Sequence, residues 1–395
     1  MTGTTSQIWP GDFYRIQETL APEDRELLAR VRKFMEDRVA PVINDHWTRA
    51  TFPHELVPEL AELGVVGLSY KGYGFAGKST LMDGLIALEL SRVDPSMGTF
   101  MGVHGGLSTG TIYLCGSEEQ KERWLPDMRR LDKIGSFGLT EPDVGSGIAG
   151  GLATTARRDG NDWILNGQKN WIGNASFANI NVIWARDVAD HQVKAFVVEK
   201  GTEGYSTEVL RDKIALRVVQ NSKITLTDCR VPDANRLTDA NSFADAARVL
   251  KMTRAFVAWQ AAGCAMGAFE HALAYSKRRH QFGKPIAGFQ LVQNQLVQML
   301  SGVTASINLC HRLAQLQDAG EMTEEQASLA KAFCTVSARD TVGLARELFG
   351  GNGILLEEQV GRFVADIEAI YSYEGTREIN TLIVGRAITG IGAFV

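Results

Sequence analysis

Hydrophobic positions recur at two different periods along this chain, and the period changes twice. Between residues 23 and 40, Leu27, Leu28, Val31, Phe34, Met35 and Val39 fall at helical spacing, which predicts an amphipathic helix that Pro41 ends. Residues 79–93 and 118–130 read the same way, with Ser117 offering its hydroxyl as a cap for the second. Near residue 133 the texture changes. From Gly135 to about Pro232, short β-branched or aromatic runs alternate with polar turns, and Asn181–Trp184, Ala195–Val198 and Ile224–Val231 read as strands. Asn166-Gly167, lying between Trp163–Leu165 and Gln168–Ile172, predicts a hairpin with a type I′ turn. From about 243 the helices return and lengthen. Val292, Leu296, Met299, Val303, Ile307, Cys310 and Leu313 form the core stripe of a bundle helix, with more helix expected over 323–348 and 376–390.

The order α, then β, then α excludes the alternating rhythm of a doubly wound sheet and predicts a small sheet or barrel between helical regions. Composition narrows the rest. Of 395 residues, 45% are apolar and 22% charged, as in a globular protein. The 41 basic and 46 acidic residues leave a net charge of −5, so no basic surplus points to nucleic acid or an anionic membrane. No apolar run is long enough to predict a membrane span. Cys115, Cys229, Cys264, Cys310 and Cys334 are scattered and form no CxxC pair. That pattern predicts neither a disulfide framework nor a zinc site and fits a cytoplasmic, reducing compartment. Met1 to Phe13 lacks the basic and apolar blocks of a signal peptide. Glycine, at 40 residues, exceeds the usual ~7% without forming a linker.

Five segments carry candidate chemistry. Gly72 to Ser79 matches the phosphate-binding pattern G-x-x-x-x-G-K-[ST], but its flanks read as helical rather than as parallel α/β. The competing reading is a glycine-rich loop beside a ligand pocket. Phe137 to Gly147 is a polar, glycine-punctuated connection whose small residues would let backbone approach a flat ligand, or is simply a loop. Arg279 to Ile286, at a helix break, suits an anion such as a pyrophosphate, or is a solvated turn. Gly350, Gly351 and Gly353 follow Phe349 as a helix cap or as a surface against a ring or phosphate. Glu374 stands between Tyr373 and Gly375, just before a helix that Thr376 could cap. A desolvated carboxylate there would be a general base, and a solvated one would merely favour the helix dipole.

Taken together and in this order, these segments resemble the acyl-CoA dehydrogenase family over nearly the whole chain. The motifs are LTEPDVGSG at 139–147, NGQKNWIG at 166–173, RHQFGKPI at 279–286, GGNG at 350–353 and YEGT at 373–376. The Arg92 to Asp94 triplet and GRAITGIGAF at 385–394 are similar to the glutaryl-CoA dehydrogenase branch. The resemblance implies a mainly α fold with a β-barrel middle domain: an α-helical domain over 1–132, a β-barrel over 133–242 and a C-terminal four-helix bundle over 243–395. It implies FAD held without a dinucleotide fingerprint, a homotetramer, and an electron-transferring flavoprotein as acceptor. The implied reaction is α,β-dehydrogenation of glutaryl-CoA or another short acyl-CoA, as in fatty acid or amino acid catabolism. Glu374 matches the base that takes the α-proton, while hydride passes to flavin N5. The minority-branch base position holds Thr253.

The same resemblance carries over the binding residues. Phe137, Leu139, Thr140, Gly145 and Ser146 would lie along the flavin and its phosphates, with Trp171 and Gly173 beside the ring. Arg279, Gln281 and Phe282 would reach the FAD of a neighbouring subunit. Glu347, Gly351, Thr376 and Glu378 would line the adenine or pyrophosphate side of FAD. Ser146, Arg254, Tyr373 and Gly375 would contact the acyl-CoA. Three departures stand out. Gly173 replaces a usual Thr, Gly147 a usual Asp, and Ser91 and Gly98 replace the Glu and Arg that hold the distal carboxylate in the glutaryl branch. A flavoprotein of the same fold with other chemistry, an oxygenase or a dehydrogenase of carrier-protein thioesters, is the alternative reading.

Overall fold

The computed structural model describes residues 10–393. Residues 1–9, most of the segment read for a leader, lie outside it, as does Phe394 of the 385–394 motif. Helices and sheet alternate as α, β, α. The N-terminal helical region includes Pro22–Phe34, Ala40–Arg49, Thr80–Val93, Pro95–Met101 and Glu118–Arg129. Ser117 caps the last of these in a full capping box with Gln120, the reading its sequence suggested. Pro41 does not end the first helix. The chain passes through a wider, π-type turn, Met35–Val39, into the helix Ala40–Arg49. There Pro41 lies in the first turn, where a missing N–H costs little.

The middle region is one seven-stranded sheet: β1 Gly135–Gly138, β2 Thr155–Asp159, β3 Asp162–Ile172, β4 Ile180–Asp187, β5 Val193–Glu199, β6 Tyr205–Val209 and β7 Ser222–Pro232. β1 and β2 share one edge of β4, both parallel to it, and β5 takes the other edge antiparallel. The path continues through β2, β3, β7 and β6. The expected β domain is therefore present as a curled sheet that encloses its own core, with Trp163, Leu165, Phe196, Ile224 and Val231 buried together.

The Asn166-Gly167 turn is not there. β3 runs straight through it, and the turn lies at Gly160-Asn161 between β2 and β3, where Gly160 takes φ 64°. Two contacts explain the difference. Asp228 on β7 exchanges hydrogen bonds with the Asn166 amide, which makes a bulge in the ladder rather than a turn. Gly167 is needed for close approach, since a Cβ there would sit 2.6 Å from Thr154 Oγ1.

Long helices complete the chain: Phe243–Arg278, Gln290–Asp318 and Glu324–Leu348 pack on one another. Val360–Ser372 packs on the first and third, and Arg377–Thr389 on the third. Met299, Val303, Ile307, Cys310 and Leu313 are buried as their stripe predicts, whereas Val292 and Leu296 are only part-buried. The same end of that helix exposes Leu291 and Val297. All five cysteines are free and buried. Among the described residues no helix is long and apolar enough to cross a membrane.

Gly72 to Ser79 does not form a phosphate-binding loop. Lys78 is paired with Asp24, and Ser79 caps helix Thr80–Val93 by accepting from Met82 N. No strand precedes it among the described residues, so both side chains that would serve a nucleotide are used structurally.

Candidate active site

Helix Val360–Ser372 stops at Tyr373, and helix Arg377–Thr389 begins after Thr376, whose hydroxyl accepts from Ile379 N at 3.3 Å. Between them Glu374 and Gly375 both turn left-handed, with φ of 55° and 83°. Glycine takes this region freely, whereas a glutamate there costs about 1–2 kcal/mol. The strain aims the carboxylate back toward helix Phe243–Arg278, where Thr253 Oγ1 donates to Glu374 Oε2 at 2.8 Å. Burial raises the Glu374 pKa above the usual carboxylate range, against the Thr253 hydrogen bond and the nearby Arg254 and Lys331 cations, which lower it. A carboxylate held in this way is a stronger base than one in water.

The neighbours of Glu374 form one constellation. Tyr373 Oη donates to Gln260 Oε1 at 2.9 Å and lies 3.3 Å from Thr99 Oγ1. Arg254 Nη1 pairs with Glu324 Oε1 at 2.5 Å. Thr253 also borders a narrow cleft with Met101, Gly105, Gly106, Met252 and Phe256, which Ser69, Asp83 and Gln317 line as well. Nearby, Ser91 fills the space a side chain at 98 would need, because a Cβ on Gly98 would meet Ser91 Oγ at 2.1 Å.

The second group lies on the sheet. Phe137 and Leu139 are buried, with the Phe137 ring edge-on to Trp184. Lys169, fully buried, anchors the segment that follows. Its Nζ donates to Leu139 O at 3.1 Å and to Glu141 Oε1 at 2.8 Å. Glu141 in turn accepts from the backbone N–H groups of Ala153 and Thr154. Thr140 O accepts from Asn170 N at 2.8 Å. Beyond this anchor the surface is open. Gly145, Ser146 and Gly147 are exposed, and a Cβ on Gly145 would touch nothing. The hydroxyls of Thr140 and Ser146 bond to no other described residue. Trp171, at φ 64°, is 58% exposed. Gly173 is buried, and a Cβ there would press on Val103 Cγ2 at 3.1 Å. Unspent hydroxyls, bare backbone and a free aromatic face fit a flat, polar-edged cofactor such as a flavin.

The third group stands apart. Arg279, Gln281 and Phe282 lie on a small hairpin, His280–Gln281 with Lys284–Pro285, where Phe282 is 93% exposed. Glu347 and Gly351 are exposed beside the same end, where Phe349 stacks on Tyr275 and Asn352 bonds Tyr275 Oη. Thr253 and Arg278 sit near opposite ends of one helix, 25 residues or about 38 Å apart. The chain therefore brings Glu374, Tyr373, Gly375, Thr376 and Arg254 together and keeps Arg279, Gln281, Phe282, Glu347 and Gly351 away from them. Glu378 is exposed and paired with Arg377.

Sequence reasoning missed Lys331, Lys169 and Gln260. The first had a signal: a lysine on the small-residue stripe of Ala327, Ala330, Cys334 and Ala338 belongs to a core face.

A half-buried carboxylate thus stands at a left-handed helix junction, bonded to a residue that lines a narrow cleft, and an open, polar surface lies on the sheet. Comparison with known proteins gives the family. Residues 21–132, 136–229 and 243–389 match the N-terminal, middle and C-terminal domains of acyl-CoA dehydrogenase. An acyl-CoA dehydrogenase of Bacillus subtilis is 33% identical over 91% of this chain and 96% of its own length. A 3-(aryl)acrylate reductase of Clostridium sporogenes is 34% identical over 92% and 97%. Glutaryl-CoA dehydrogenase from Mycobacterium smegmatis superposes with a TM-score of 0.94 at 40% identity, covering 98% of this chain and 99% of that one. A glutaryl-CoA dehydrogenase of the same organism, solved in complex with FADH2, also gives 0.94, at 36% identity and with 98% and 100% covered. The chain belongs to the acyl-CoA dehydrogenase family, a family of FAD-dependent oxidoreductases.

Proposed function

We propose that this chain dehydrogenates a short acyl-CoA thioester at its α,β-bond, with Glu374 as the base. The observation that carries the reading is the half-buried, strained carboxylate of Glu374, held by Thr253, which itself lines a narrow cleft. Glu374 would take the α-proton on its carboxylate. Its backbone N–H would polarise the thioester carbonyl, which makes that proton acidic enough to leave. Bound FAD would supply the hydride acceptor. Phe137, Leu139, Thr140, Gly145, Ser146, Trp171 and Gly173 would form its bed in this chain. Arg279, Gln281, Phe282, Glu347 and Gly351 would serve the cofactor of a neighbour, and Thr376 and Glu378 would line an adenine or pyrophosphate side. The 38 Å separation along one helix supports that division, and with it the homotetramer.

Arg254, Tyr373, Gly375 and Ser146 would hold the acyl-CoA. Ser91 and Gly98 place no charge at the positions where the glutaryl branch pairs the distal carboxylate. Burying an unpaired carboxylate is costly, so the reading favours an uncharged short acyl group over glutaryl. An electron-transferring flavoprotein in the cytoplasm would take the electrons onward. Anaerobic bleaching of the flavin across a panel of acyl-CoAs tests this. Bleaching by butyryl-CoA ahead of glutaryl-CoA is expected. No bleaching by any thioester, or oxygen uptake without an acceptor, would overturn it.

A further inference from the structure

The Lys331 side chain is completely buried on helix Glu324–Leu348, and no carboxylate among the described residues is close enough to pair with it. An ammonium in such a place is expensive unless its protons are used. Two are. Nζ donates to Tyr371 O at 2.8 Å and to Gly375 O at 2.7 Å. Tyr371 lies in the last turn of helix Val360–Ser372, where carbonyls lack helical partners and the dipole favours a cation. Gly375 O also accepts from Asn380 Nδ2 at 2.9 Å. The two carbonyls bracket Glu374, three residues before it and one after. A single buried nitrogen thus closes the short loop from which the carboxylate projects.

We propose that Lys331 is a positioning residue for Glu374, its ammonium strapping the two flanking carbonyls and so fixing the left-handed turn that aims the base. The inference rests on the reading of Glu374 as the base. Lys331 does not line the cleft, and its two hydrogen bonds go to the backbone on either side of Glu374. It also faces Glu374 electrostatically, together with Arg254 from helix Phe243–Arg278, while Glu378 from helix Arg377–Thr389 faces Lys331 itself. Burial lowers the Lys331 pKa to about 8, Glu374 and Glu378 acting against that and Arg254 with it.

The test compares Lys331→Met, which loses donor and charge, with Lys331→Gln, which keeps a donor. Hydrogen exchange of amides 373–376 is followed with and without FAD, alongside the pH profile of flavin reduction by butyryl-CoA. In Lys331→Met, exchange of these amides should rise at least tenfold while those of helix Phe243–Arg278 stay protected. The reduction rate should fall at least tenfold with KM within threefold, and its acid limb should move to higher pH because a facing cation is gone. Lys331→Gln should keep part of the protection and shift the limb in the same direction. If Lys331→Met does not fold, Lys331→Gln carries both measurements. Parent-like exchange and an unmoved acid limb would overturn the strap. A parent protein that no acyl-CoA bleaches would instead overturn the function reading, and would do so whatever the exchange data show.

Discussion

Thr253 donates its hydroxyl to the Glu374 carboxylate across 2.8 Å, joining residues 121 positions apart in the chain. The bond stabilises the charged form of the base and opposes the effect of burial. Removing it in Thr253→Val should therefore raise the Glu374 pKa. A hydrogen bond to a charged group is worth about 1.5–3 kcal/mol, or roughly one to two pKa units. The acid limb of the rate profile should move up by about that much, with the alkaline limb unchanged, as steady-state kinetics between pH 5 and 9 would show.

Replacing Glu374 by Gln removes the base but keeps the shape of the turn. Proton transfer by a positioned group contributes roughly 10²–10⁴ in rate. Flavin reduction by acyl-CoA should drop by at least that factor, while the visible spectrum and FAD content of the purified protein remain those of the parent. Near-parental turnover would remove Glu374 from the mechanism.

Gly98 and Ser91 compete for one volume. A Cβ at 98 would meet Ser91 Oγ at 2.1 Å, so Gly98→Ala overpacks the site. The expected cost is about 1–3 kcal/mol, read as a lower midpoint of chemical unfolding. Pairing it with Ser91→Ala takes away the clashing oxygen and should recover much of the loss, a non-additivity that a double-mutant cycle measures.

His104 is fully buried, with Nε2 donating to Met128 O and Nδ1 accepting from Gly135 N. Burial lowers its pKa to about 4, whereas in the unfolded chain it binds its proton near 6.5. Between those values the unfolded state holds more protons, so stability rises with pH. On acidification from pH 6.5 to 4 this one group should withdraw about 3 kcal/mol. Gln at 104 can bridge the same backbone atoms without titrating. His104→Gln should flatten the slope of unfolding free energy against pH by about one proton.

How much of this was legible depends on the range of the interaction involved. The helices over 79–93, 118–130 and 323–348 were, because spacing and caps such as Ser117 are local signals. Pro41 and Asn166-Gly167 misled because tertiary contacts outweighed local preference. A π-type turn carried the helix to Pro41, and Asp228 of β7 held Asn166 in line as a bulge. In the site, the residues beside Glu374 fit a solvated acid at a helix start as well as a base, and the family resemblance alone singled it out. Thr253 and Lys331 were not legible as its partners, since nothing in sequence ties them to a residue on another helix. Gly173 was visible as a departure, but the contact it would disturb, with Val103, was not.

Helix Phe243–Arg278 carries Thr253 near its start and delivers Phe282 just past its end. It behaves as a ruler between two stations. A deletion of three or four residues inside it would keep the faces nearly in phase yet shorten the span by about 5–6 Å. Such a chain could retain its own base geometry while presenting the Arg279–Phe282 hairpin at the wrong distance. On the proposed reading, the length of this helix, and not its sequence alone, sets the distance between the base and the hairpin.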